Sequence, residues 1–171
     1  MPKVTLTEFS STGDPLLDDN FELLLNVPDA VGGTSYTSML RIQCKTGVKP
    51  GSTLEEVLKE AFGFQLNYAG RKTFTHSFST DFNENAEMAV YKPLEKWHEL
   101  VRATETQLGA VKSEYATKAI FRIFKQDGSI AGEYEIFGVW PKQVPDLSFG
   151  GTAQAVQVTV EWSFDYVKPK A

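Results

Sequence analysis

Apolar and polar residues alternate with a period of two along most of this chain. From Ala155 onward Val156, Val158, Val160, Trp162, Phe164 and Tyr166 occupy every second position, with Gln157, Thr159, Glu161, Ser163 and Asp165 between them. A period of two sustained that long predicts a strand with one buried face and one wet face. Trp140-Pro141 precedes it, and proline lacks an N–H and restricts the residue before it. A strand is therefore expected to end near Val139, an ordered loop to turn the chain, and the terminal strand to close the sheet. The same alternation predicts a first strand over 20–27, with Phe21, Leu23, Leu25 and Val27 on one side. A second is expected over 36–46, through Leu40, Ile42 and Cys44. Phe62, Phe64, Leu66 and Tyr68 mark a third, and Phe74, His76, Phe78, Thr80 and Phe82 a returning fourth, with Ala69-Gly70-Arg71-Lys72 as the tight turn between them. Later strands are expected over 116–125 and 130–139, joined by a two-residue hairpin at Asp127-Gly128.

Two stretches leave this period. Met88, Leu94, Trp97, Leu100 and Val101 recur at three- and four-residue spacing, which predicts a helix. Pro93 places its start near Lys92, because the first turn tolerates proline. In 53–61, Thr53, Glu55 and Glu56 read as a helix start, and Leu54, Val57, Leu58 and Ala61 suit one helical face. A helix so short is marginal without tertiary support, so this stretch is expected to be a loop able to hold a short helix. Breakers at Ser10, Ser11, Gly13, Asp14 and Pro15 make 1–19 an irregular N-terminal arm. Strands, one helix, then strands, linked mainly by hairpins, predict a mainly β fold: an antiparallel β-sandwich or open barrel with one packed α-helix. Residues 1–171 are expected to form a single domain, with 46–61 as a projecting loop.

Composition narrows the function. With 171 residues the chain can bury a real core as one domain. A net charge of −5 argues against tight binding of a nucleic-acid backbone. The lone Cys44 rules out an internal disulfide framework and a multi-cysteine zinc site. No apolar stretch approaches the roughly 20 residues that span a bilayer. Met1 to Phe9 lacks the apolar core of a signal peptide, so none is expected.

Candidate chemistry is sparse. His76 and His98 are the only histidines, and neither has a ligand set around it at strand or helical spacing. A Cys44–His pair would need a convergence that spacing does not supply. Glu133 and Glu135 share a strand face, which reads better as a solvated surface than as an acid/base couple. Gly150-Gly151 precedes no Gly-Lys-Ser/Thr and no helix, so it is a turn, not a phosphate loop. No catalytic, cofactor or metal site is expected. A generic β-sandwich binding module and a small hydrolase stand as rival readings; the hydrolase would need a pocket with convergent polar groups.

Several of these segments, in order, carry a resemblance. Tyr68-Ala69-Gly70-Arg71-Lys72-Thr73-Phe74 resembles the region between two central strands of the tube proteins of contractile phage tails. Phe82-Asn83-Glu84-Asn85, the Trp97 helix, Lys118 to Phe124, the Asp127-Gly128 hairpin, Glu133 to Trp140-Pro141 and Phe164-Asp165-Tyr166 follow in the family's order. The resemblance covers about 20–167, while 46–62 is more helix-prone than the family and 1–19 matches nothing in it. It implies a structural protein without cofactors: hexameric rings stacked into a hollow inner tube, through which a phage genome passes into the host. The implied partners are further copies of itself, tail sheath, baseplate and tail terminator proteins, and DNA in transient, non-specific passage, with no membrane insertion. Its place would be the virion tail, after assembly in the host bacterial cytoplasm. The related inner tubes of type VI secretion (haemolysin-coregulated protein), bacteriocins and extracellular injection systems are the alternative. By the same resemblance the 46–61 projection reaches the adjacent ring, so Lys49, Pro50, Glu55, Glu56 and Lys59 are expected at ring-stacking contacts. Asp81, Glu161 and Asp165 are expected to line the lumen, unless the sheet carrying Glu133 and Glu135 faces inward. Trp97, Trp140 and Trp162 are expected as core anchors.

Overall fold

A computed structural model describes residues 6–151 and 153–170. The elements run α1 (Leu6–Ser10), β1 (Phe21–Leu25), α2 (Thr34–Gln43), β2 (Ser52–Ala61), β3 (Phe64–Phe74), β4 (Ser77–Asn83), α3 (Tyr91–Val101), α4 (Lys112–Tyr115), β5 (Thr117–Phe124), β6 (Ile130–Gln143), β7 (Gln157–Ser163) and β8 (Tyr166–Pro169). Six strands form one sheet in the order β1-β5-β6-β7-β4, with β8 also on β6, and β2 and β3 form a separate ribbon. Every pairing is antiparallel. The large sheet bends around Leu23, Leu25, Phe82, Leu94, Trp97, Ile136, Val160 and Trp162, all buried. It is an open barrel with α2 and α3 packed on it.

The bend is built into β6, the longest strand. Thr117 pairs with Val139 and Lys118 with Phe137, so Gly138 is left over as a bulge, in the left-handed region at φ 71°. Opposite it the chain of β7 and β8 kinks at Phe164-Asp165 without losing register: Trp140 faces Ser163 before the kink, and Phe137 faces Tyr166 after it. The alternation read from Ala155 onward is thus one strand line, broken where the sheet turns a corner. A Cβ on Gly138 would overlap the Asp165 carboxylate, which Lys112 holds at 2.6 and 2.7 Å. Gly138→Ala is expected to cost about 1–3 kcal/mol, from the backbone conformation and the overlap together. Urea denaturation measures it, and an unchanged midpoint would show that the corner does not need glycine.

The bulge also corrects two expectations. β6 does not end near Val139 but continues through Trp140-Pro141 to Gln143, with Pro141 opposite Trp162. The extra residue flips the faces, so Ile136, Val139 and Pro141 point inward and Trp140 points out. Trp140 is half-buried, edge-on to Tyr115, and is no core anchor. Trp97 and Trp162 are, with ring centroids 5.6 Å apart.

Further elements differ from the sequence reading. Residues expected as a strand over 36–46 form α2, in which Leu40 is 1% exposed and Ile42 69%; two residues are more than half a turn apart on a helix. The fold therefore has two packed helices, not one. The expected loop over 53–61 is strand β2, which pairs along one edge with β3, so pairing overrides the local helix propensity. The turn is Phe62-Gly63, and Ala69-Gly70-Arg71-Lys72 lies inside β3. The chain then breaks at Thr75-His76, leaving His76 exposed at φ 57° rather than inward. The β5–β6 turn holds three residues, Gln126-Asp127-Gly128, closed by the Lys125 N–H on Ser129 O at 2.8 Å. In the expected arm, Leu6–Ser10 are helical and 11–19 irregular; residues 1–5 lie outside the described residues. β1, β4, β5 and α3 form where the pattern placed them.

Candidate functional site: an exposed ribbon and two sheet faces

The ribbon of β2 and β3 is the most conspicuous surface. Every residue of β2 is exposed, as are those of β3 up to Ala69. The cross-strand pairs Val57–Tyr68, Lys59–Leu66 and Ala61–Phe64 share one face. That face is mostly apolar, and its large side chains are half or more exposed, Phe64 at 76%. The other face carries Glu56, Leu58, Glu60, Gln65 and Asn67. The two strands pack on each other and hardly at all on the body. A two-stranded ribbon is marginal alone in water, and an apolar face of this size marks an interaction surface.

The stacking residues named from sequence separate here. Glu55, Glu56 and Lys59 lie on the exposed ribbon. Lys49 lies at its root, with Nζ 4.7 Å from the Tyr134 ring centroid. Pro50 is buried and cannot present itself to another subunit. Sequence reasoning missed the apolar residues of β2 and β3 as a surface; the Phe-Gly dipeptide at the head of the alternating run Phe64, Leu66 and Tyr68 was the available signal.

The candidate lumen acids are not bare. β4 and β7 turn Phe78, Thr80, Phe82, Val158, Val160 and Trp162 inward, which leaves the register pairs Ser77–Ser163, Ser79–Glu161 and Asp81–Thr159 outside. Asp81 accepts hydrogen bonds from the Thr159 and Thr46 hydroxyls at 2.6 and 3.0 Å. Glu161 pairs with Lys142 at 2.7 Å, and Asp165 beyond the kink pairs with Lys112. Asp81 and Glu161 are neighbours on one face; Asp165 stands apart at the corner.

The outer face of β1, β5, β6 and β8 differs in charge. Arg122 bridges Glu22 and Glu133 at 2.9 and 3.3 Å, Lys170 joins Glu133 at 2.9 Å, and Lys118 meets Glu135 at 2.6 Å. Lysine hydrogen bonds, from Lys170 and Lys118 respectively, hold Glu133 and Glu135 below the usual glutamate range, and neighbouring positive charges add to it. With Arg41 and Lys168, five cations surround three carboxylates here.

Neither surface holds catalytic machinery. Burial, and then the Asp81 carboxylate, push the Cys44 thiol up to about 12, so it is a poor nucleophile at neutral pH. His98 is exposed, and the ring of His76 meets Phe164 O through Nδ1 at 3.1 Å. No group of three metal-ligating side chains gathers among the described residues.

Comparison with known proteins decides what the ribbon and faces belong to. The chain matches the family described as phage tail tube protein over residues 17–168. It belongs to that family. Tail tube protein gp19 of Enterobacteria phage T4 is 29% identical over 107 residues, or 61% of this chain. The alignment takes in 65% of the T4 protein, just under two thirds of its length. Two solved structures share the tail tube fold. One is the sheath/tube terminator of the extracellular contractile injection system PVC, with a TM-score of 0.65, 10% identity, and 93% of this chain and 99% of that one covered. The other is the tube-terminating cap of the anti-feeding prophage, with a TM-score of 0.60, 11% identity and 92% of each chain covered. Tail tube proteins are structural, so the absence of a catalytic constellation from the sequence reading and the family agree. The expectation of a mainly β, antiparallel tail tube fold holds.

Proposed function

We propose that this chain builds the inner tube of a contractile phage tail, as homohexameric rings stacked into a hollow cylinder through which the genome passes. The observation that carries the reading is membership of the tail tube family across nearly the whole chain, and the phage T4 relative favours a phage tail over an injection apparatus. The open sheet edge at β1 supports ring closure, because edge pairing between copies removes exposed strand edges. The ribbon supports ring stacking, with Glu55, Glu56 and Lys59 at the contacts and Lys49 at their base. Sheath, baseplate and terminator proteins are the further partners; the shared fold with a sheath/tube terminator of an injection system supports this. The protein is assembled in the host bacterial cytoplasm and resides in the virion tail.

The β4–β7 face, with Asp81 and Glu161, lines the bore; Asp165 sits at its margin. This face is hydroxyl-rich, with Glu161 matched by Lys142 and Asp81 held by two hydroxyls, so a passing polyanion meets no unmatched cation among these groups. The opposite face, with five cations around three carboxylates, would bind DNA. Sedimentation velocity over a concentration series tests the assembly: species of six chains or multiples of six are expected. A monomer at every concentration would refute the ring.

A further inference from the structure

The turn at the tip of the ribbon is built against its own conformational preference. Ala61 and Phe64 are paired, and the two residues between them, Phe62 and Gly63, have φ of 54° and 79°. Such a turn favours Asn-Gly; a bulky residue at the first position is strained. Phe62 nevertheless occupies it, and its side chain is 100% exposed. Nothing among the described residues repays that strain or that exposure, and strain of this kind concentrates where a surface is used.

A matching hollow lies at the other end of β4. The root of the ribbon, Ser52 and Phe74, leads through Thr75-His76 into Ser77 at the start of β4. From there β4 runs about 20 Å to Asn83. Directly beyond it Ala86, Met88, Leu147, Phe149 and Val156 enclose an apolar groove of about 400 Å³. Glu84 is its one acid, and its carboxylate is already occupied: Oε1 accepts the N–H groups of Asn85 and Val90, and Oε2 that of Tyr91. Both oxygens are thus engaged by backbone donors of the subunit itself. Phe149 on the rim is 77% exposed. Beside the groove, the Lys92 ammonium donates to Glu87 O and makes no ion pair among the described residues. Glu60 lies two positions before Phe62 on the exposed strand β2.

We infer that Phe62 of one copy inserts into the Met88–Leu147–Phe149–Val156 groove of the next copy along the tube. This rests on the stacked-ring reading above and names its contact. Knob and socket are different surfaces of the subunit, so the contact is heterologous and repeats from copy to copy without using itself up. A phenylalanine buries about 150–250 Å², against roughly 1,000 Å² for a stable interface. The ring is thus the anchor, and Phe64, Leu66 and the paired Glu60 and Lys92 extend it.

Two measurements on the full chain test this. Phe62→Asn suits the turn better, so its melting temperature should equal or exceed the parent's while pelletable tube falls at least tenfold. A benzophenone-bearing phenylalanine analogue at position 62, irradiated in assembled tubes, should crosslink to peptides spanning 84–88 and 147–156 of another copy. Parent-level tubes from Phe62→Asn, a lowered melting temperature, or crosslinks mapping elsewhere would overturn the inference while leaving the tube itself intact. Failure of the unaltered protein to form any tube would instead refute the stacked-ring reading and this contact with it.

Discussion

Removing the ribbon should abolish tubes and leave the subunit folded. Ser52 and Phe74 are opposed in the antiparallel pair, so a short Asn-Gly link can join them once 53–73 are excised. β2 and β3 pack chiefly on each other, and the core of the body contains none of their residues except the partly buried Phe74 at the root. The loss of body stability should therefore stay within about 1 kcal/mol, in the range of surface changes. The assembly change should be all or nothing, because the ribbon presents a large exposed apolar surface that the isolated subunit leaves wet. Thermal melting and negative-stain microscopy of the shortened chain measure the two halves. If the shortened chain is unfolded, the ribbon belongs to the folding unit; if it still forms long tubes, stacking lies elsewhere.

The second large effect lies in the core. Trp162 is fully buried, with its ring centroid 5.6 Å from Trp97 and 6.4 Å from Phe82. Its Nε1–H donates to the hydroxyl of Thr80 at 2.8 Å, and Thr80 is itself buried. Trp162→Ala removes the largest ring at the meeting point of α3, β4 and β7 and strips a buried hydroxyl of its partner. The expected cost is about 3–5 kcal/mol, a large share of the roughly 5–15 kcal/mol that holds a domain folded. Trp140→Ala, on the outer face of β6, should cost about 1–2 kcal/mol, in the range of ordinary substitutions. Urea midpoints for the two variants test this. Equal losses would mean that the face flip at Gly138 does not describe the folded protein.

How much of this was legible in sequence depends on where each segment finds its partner. β4 and β7 read correctly because Phe78, Thr80, Phe82, Val158, Val160 and Trp162 face one core, and burial enforces the period. α3 read correctly because Pro93 and the spacing of Leu94, Trp97 and Leu100 act locally. Trp140 was misplaced because a single bulge at Gly138 shifts every later residue to the other face, and one glycine does not announce a bulge. α2 was misread because a short run of Leu40, Ile42 and Cys44 satisfies both periods. In 53–61 the local preference was helical, and only the partner strand and an unusual Phe-Gly turn override it. The mismatch there between local signal and final structure coincides with the candidate contact surface. A sequence under selection for an interface gives up local consistency at that place. The Lys142–Glu161 and Lys112–Asp165 pairs were invisible because their partners lie 19 and 53 positions apart.

The central claim is that this protein stacks in rings through its ribbon. Cryo-electron microscopy of the purified full chain tests it most directly. The account predicts hollow tubes of sixfold rings, with each β2–β3 ribbon crossing into the neighbouring ring and the β4–β7 face toward the bore. Particles that remain single subunits at every concentration, or tubes whose ribbons stay within their own ring, would contradict it.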